Sequence, residues 1–276
     1  MTMQKKVSAI VLAIIGIVAA VCMLFGIYGV WWTAGTVNTA ALNLLSSVEN
    51  NARQSSELLT LVDTAVGSVQ TNVSDIETRV ATVGVNLSEN PVILNALRQQ
   101  YDERASPELR TLLQSARAAR VALARTASLA AAANANPFTA TFAPDMARAQ
   151  ALDAALDEAE QELLRVGLEI RDLKVDATQA VTGGITSRLQ RIDGALQVAR
   201  DATNDLNQRA NTTMTNAIAR QASFPSTVNM IAFGITVVMA AALIGGVALA
   251  WSSISYLQSG GRRIETFLGR FNANVG

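Results

Sequence analysis

Arg110, Arg117, Arg120 and Arg125 precede a run of carboxylates, Asp153, Asp157, Glu158, Glu160 and Glu162, and no other side chains in the sequence are so spaced for chemistry. Arginine grips carboxylates and other anions through two parallel N–H bonds. Arg110, Arg117 and Arg120 are therefore candidate contacts for an anionic ligand or an acidic partner. Asp153, Asp157 and Glu160 recur at helical spacing and could hold a cation. Di-metal sites in helical bundles draw on Glu-x-x-His pairs, and this chain has no histidine. The same absence removes the commonest general acid and base. Cys22 is the lone cysteine, so a disulfide within the chain and a cysteine-based metal site are both excluded. No catalytic, metal-ligating or cofactor-binding residue is expected, and the chain is not expected to be an enzyme.

The plainer reading of the two charged runs is that they face each other. Between them lies Asn134–Pro144 (NANPFTATFAP), with two prolines and no helical period. Folding back about its middle brings Arg125 near Asp153, Arg120 near Asp157 or Glu158, and Arg117 near Glu160 or Glu162. Exposed pairs of this kind contribute about 0–1 kcal/mol each, so they select a register more than they stabilise it. The spacing predicts an antiparallel hairpin here.

The elements that must carry this hairpin are helices. Half of the residues are hydrophobic but only 5 % are aromatic, and acidic and basic residues balance at 22 each. That composition suits helices packed side by side, and a net charge of zero gives no footprint for nucleic acid. From Ala41 to Leu87 a three-four alternation runs through Leu45, Val48, Leu59, Val66, Val73 and Val80, one apolar stripe that only other helices can cover. Breaks are expected at Ser88–Pro91, with Asn90 as cap and Pro91 in the first turn, at Asn134–Pro144, and at Gly183-Gly184. Ser106-Pro107-Glu108 reads as a kink or a short interruption. The expected helices cover about 34–88, 92–133, 145–182 and 185–222. An up-down-up-down four-helix bundle is the favoured arrangement. The alternative stacks the first two helices end to end and lets one long helix return from Asp145.

Two apolar runs bracket this region, Val7–Trp32 and Val228–Trp251, each longer than the roughly 20 residues needed to span a bilayer. The first is too long for a signal-peptide core and offers no small-x-small cleavage site, so a retained anchor is expected. Trp31 and Trp32, and on the other side Trp251 and Tyr256, stand where interfacial anchors belong. Pro225 suits the first turn of a new helix. Gly16 with Ala20, and Gly245 with Gly246, are small enough to let spans pack closely. Lys5 and Lys6 before the first span, and Arg262, Arg263 and Arg270 after the second, predict that both tails are cytoplasmic. The expected layout is a tail (1–6), a span (7–33), an extracytoplasmic bundle (34–226), a span (227–251) and a second tail (252–276) in the cell membrane. Its expected partners are membrane lipid and either further copies or another membrane protein, with no nucleic acid.

This layout, together with Leu87-Ser88-Glu89-Asn90-Pro91-Val92-Ile93-Leu94-Asn95-Ala96-Leu97, resembles the sensory half of bacterial chemoreceptors and sensor kinases. In such ectodomains an Asn-Pro turn leads from the first long helix into a short amphipathic one. The resemblance implies a ligand- or partner-binding ectodomain. Those families continue past the second span into a signalling domain, whereas about 25 residues follow Trp251 here, so any signal is expected to pass to a separate protein. A structural tether of the cell envelope is the alternative, and a pore-forming or membrane-remodelling protein the third. A sensor should carry a polar pocket lined by Arg110 or Arg117; a tether should carry an unbroken dry core.

Overall fold

The computed structural model describes Met3–Gln258, with side chains described between Val7 and Ser255. The Lys5, Lys6 and Tyr256 side chains and the arginines of the C-terminal tail lie outside that range. Among the described residues every element is helical: α1 (Met3–Thr82), α2 (Asn90–Gln100), a π-helical turn (Tyr101–Ala105), α3 (Ser106–Asn134), α4 (Met146–Asp172) and α5 (Gln179–Gln258). Two compact units emerge. One combines the residues up to Ala41 with those from Ser223; the other is Leu42–Ala222.

Within Leu42–Ala222 four helical segments run alternately up and down, as their cross-links show. Ser55 on α1 meets Thr126 on α3 at 3.0 Å, whereas Asn72 on α1 donates to Glu108 near the start of α3. Asp102, in the π turn, pairs with Arg171 at the end of α4, and Arg120 with Asp153 near its start. Arg188 of α5 reaches Glu162, while Arg209 reaches Asp145. Ser56 donates to Asn207 at 2.6 Å and Gln70 to Asp193 at 3.3 Å, closing α1 against α5.

The apolar stripe of α1 explains why the four assemble. Leu45, Val48, Leu59, Val62, Val66, Val69, Val73, Ile76, Val80 and Val83 are all buried. One continuous core joins most of them to Leu97, Leu112, Leu163, Ile170, Leu189 and Leu206 on the other helices. Burying each such side chain contributes about 1.5–3 kcal/mol before chain entropy is charged against it.

Several boundaries differ from those the sequence predicts. The first helix stops at Thr82 rather than 88, because Gly84 adopts φ +82, a left-handed conformation that ends a helix. Leu87, the last member of the predicted stripe, is consequently exposed. Asn90 does not cap α2; its side-chain oxygen accepts from Gly84 N at 2.9 Å. At Ser106-Pro107 the α-helical winding is interrupted, α2 ending at Gln100 and α3 beginning at Ser106. The backbone widens into the π turn just before it, and the Ser106 N–H reaches back five residues to the Tyr101 carbonyl. Widening the turn relieves the clash a proline ring makes with the preceding turn.

The largest correction concerns Gly183-Gly184, which sit inside α5. The reversal lies at Leu173–Thr178 instead, where the Leu173 backbone is extended. Likewise α5 runs through Pro225 without starting afresh there. Ser226 and Thr227 both donate their hydroxyls to the Ser223 carbonyl in that turn.

In the other unit the apolar segments of α1 and α5 lie antiparallel. Gly16 faces the backbone of Gly246 and Ala250, and a β-carbon placed on Gly16 would stand 2.8 Å from the Gly246 carbonyl. Trp31 Nε1 donates to Thr236 Oγ1 at 3.1 Å, and Asn38 donates to Asn229 at 3.4 Å. Both helices are long and apolar enough to cross a membrane.

Candidate functional site

The arginine row lies along the exposed side of α3. Arg110, Arg117, Arg120 and Arg125 all face outward, and Arg120 pairs with Asp153. Sequence spacing puts Arg125 opposite Asp153, so the hairpin forms in a shifted register. The shift follows from the connection, where residues 140–145 are not helical. An extended residue advances about 3.3 Å where a helical one advances about 1.5 Å. A few such residues carry the chain back past several helical ones, and Asp153 arrives level with Arg120. Burial raises the Asp153 carboxyl above its ordinary value, against the lowering influence of Arg120.

Glu162, expected near Arg117, turns instead to α5. Its carboxylate accepts from Arg188 at 2.8 Å and from Arg165 at 2.9 Å, with Arg191 at 3.6 Å. Arg188 also reaches Glu169 at 2.8 Å. The hydrogen bond from Arg188 is the chief cause holding Glu162 below the ordinary carboxylate value. With α4 and α5 sharing this cluster, it works as a weld between helices. Asp153, Asp157 and Glu160 do not converge; among the described residues no group of acidic side chains is arranged to hold a metal ion.

The clefts on the bundle include two open ones. One, of about 540 Å³, lies beside the α4–α5 turn and is lined by Glu169, Asp172, Leu173, Lys174, Asp176 and Val181, among others. The second, of about 530 Å³, runs over amides of α5 that include Asn204, Asn207 and Asn211. Neither is lined by Arg110, Arg117 or Arg120.

The first cleft belongs to the pole where the α1–α2 and α4–α5 turns meet. Buried Asn90 organises that pole. Besides accepting from Gly84 N, it donates to the carbonyls of Val175 and Ala177, each at 2.9 Å. Gln179 donates to the Ala81 carbonyl at 3.2 Å, and Gly84 packs directly on the Thr178–Gln179 backbone. Around this clasp Val85, Leu87, Val92, Val175 and Val181 are all exposed. Glu89, Asp172 and Asp176 stand beside them, against Lys174. Sequence periodicity took Leu87 for the last buried member of the α1 stripe and did not single out Val85, Val92, Val175 or Val181, which belong to no predicted stripe.

Of the proposed packing residues, Gly16 and Gly246 meet across the apolar pair, and Gly246 also approaches Ala20. Gly245 points into open space. Trp31 is tied to Thr236, while Trp32 and Trp251 project outward. No protein-family model matches this chain, and neither does any curated protein or solved structure.

Proposed function

We propose that the chain is a non-enzymatic, two-pass membrane protein whose bundle stands outside the cytoplasm and engages another protein through the Asn90 pole. The observation carrying this reading is the exposure of Val85, Leu87, Val92, Val175 and Val181 at that pole, although the turns holding them are fastened by buried hydrogen bonds. Exposed apolar residues gathered on an ordered surface mark sites of association. The fringe of Glu89, Asp172 and Asp176 favours a partner with basic residues around its own apolar patch. Lys5, Lys6 and the C-terminal arginines support cytoplasmic tails, and with them the resemblance to membrane sensory ectodomains.

A photo-crosslinking residue at Val92 or Val181 in the full chain, in its native membrane, tests the reading. A discrete adduct with a second protein is expected from both positions and not from Val121, exposed on α3. Equal labelling from all three positions would discard it. The tether reading rests on the unbroken apolar core between Leu59 and Leu206. It would gain if the pole residues tolerated aspartate without loss of any adduct.

A further inference from the structure

The α3–α4 connection is inside out for a loop bathed in water. Phe138 and Phe142 are 48 % and 66 % exposed, whereas the intervening threonines Thr139 and Thr141 are 2 % and 6 % exposed. The segment is ordered by its own bonds. Thr139 Oγ1 donates to the Ala133 carbonyl at 2.7 Å, Phe138 N donates to Asn136 Oδ1 at 3.0 Å, and Thr141 N donates to the Asn134 side chain. Thr141 Oγ1 is buried with no hydrogen-bond partner. Burying hydroxyls while presenting aromatic rings costs free energy in water, and the sign reverses where the outer medium is apolar.

The loop's position names that medium. It closes the pole at which α1 enters the bundle and α5 leaves it, beside the small cluster of Val48, Ala133 and Ala217. No charged residue occurs between Lys6 and Glu49 on α1, between Arg125 and Asp145 around the loop, or between Arg220 and Arg262 on the α5 side. The charge-free stretches of α1 and α5 contain the apolar runs themselves. A surface meant for a protein partner or for water would be expected to carry some charge along such lengths; a lipid interface explains its absence from all three.

We infer that the α3–α4 loop rests on the bilayer surface, with Phe138 and Phe142 inserted among the lipid headgroups, as a third membrane contact besides the two apolar helices. The inference rests on the reading of those helices as spans. The full-length chain carrying Cys22→Ser and a single new cysteine is labelled with an environment-sensitive fluorophore. It is then reconstituted in phosphatidylcholine vesicles containing a doxyl-quencher lipid. The labels sit at Phe142→Cys, at Val92→Cys on the opposite pole, and at Ile235→Cys within the second apolar run.

Loss of most emission at 142 and 235, with emission at 92 retained, is the expected result. Quenching at 235 but not at 142 would overturn the loop contact while leaving the spans intact. A blue-shifted yet unquenched label at 142 would overturn it in favour of a protein surface or a second copy of this chain. Absence of quenching at 235 would remove the membrane reading itself, and the loop inference with it.

Discussion

Asn90 is the residue on which the most structure converges. Its amide satisfies the Gly84 N–H and two carbonyls of the α4–α5 turn; the bond to Ala177 is buried and the other two are partly so. Asn90→Ala would leave those groups unpaired at about 1–3 kcal/mol for each fully buried one. A loss of about 2–4 kcal/mol is therefore expected on urea unfolding of the full chain; a loss below about 0.5 kcal/mol would show that the clasp is not as described. Glu162 sets an acid limit. Its folded-state value lies below the ordinary 4.5, chiefly through Arg188, so its contribution is complete above about pH 4.5 and disappears as pH falls through the lower value. Asp153 acts with the opposite sign, since burial raises its value and acidification relieves the folded state. Glu162→Gln should therefore lower stability at neutral pH and flatten its decline below pH 4.5, read from unfolding midpoints across that range. Of these roles the sequence disclosed little. Asn90 was visible as a helix-start residue, but which groups it satisfies depends on a turn more than eighty positions away. Glu162 belonged to the right acidic run and was assigned to the wrong helix, because helical spacing does not say which neighbour an edge residue faces.

Helices are where sequence and structure agree best, and their ends are where they part. The valine stripe from Leu45 to Val83 is buried along its length because a three-four alternation leaves an amphipathic helix no other way to hide it. Gly183-Gly184 looked like a reversal on composition alone, yet both stand in a helix with open space where a side chain would go. Gly183→Ala and Gly184→Ala should each raise stability by about 0.5–1 kcal/mol, the helix preference of alanine over glycine. A fall in unfolding midpoint for either would restore the turn to that position. Among the apolar helices a similar contrast holds. Gly16→Leu should disrupt the pairing, because its side chain would meet the Gly246 carbonyl and Ala250, whereas a β-carbon on Gly245 has no neighbour within 4 Å, so Gly245→Leu should be tolerated. Cysteine crosslinking between Trp31→Cys and Thr236→Cys in a Cys22→Ser background reports the difference, falling sharply for the first variant and staying unchanged for the second. The hairpin register was out of reach of spacing arguments, since it depends on how many loop residues are stretched.

Across the molecule, the membrane reading makes a simple demand of its surfaces. A membrane-impermeant thiol reagent added to intact cells should modify Arg117→Cys, which is exposed on α3, and should spare a cysteine placed in the N-terminal tail. The reverse pattern would invert the proposed topology. Composition and apolar runs made this demand legible early, because both are properties of whole stretches rather than of single contacts. What they could not supply was the asymmetry between the two poles of the bundle, one fringed with acids, the other closed by a loop that is free of charge from 126 to 144. That asymmetry exists only once turns distant in sequence are folded together.

The hydroxyls of Ser55 and Thr126 meet at 3.0 Å amid an otherwise apolar section of the bundle. Each hydroxyl also donates to the carbonyl four residues back on its own helix, Ser55 to Asn51 and Thr126 to Ala122, so sliding α3 along α1 by a single turn would cost their mutual contact while leaving both hydroxyls partnered. The pair thus marks one register of α3 on α1 where smooth aliphatic surfaces alone would favour none.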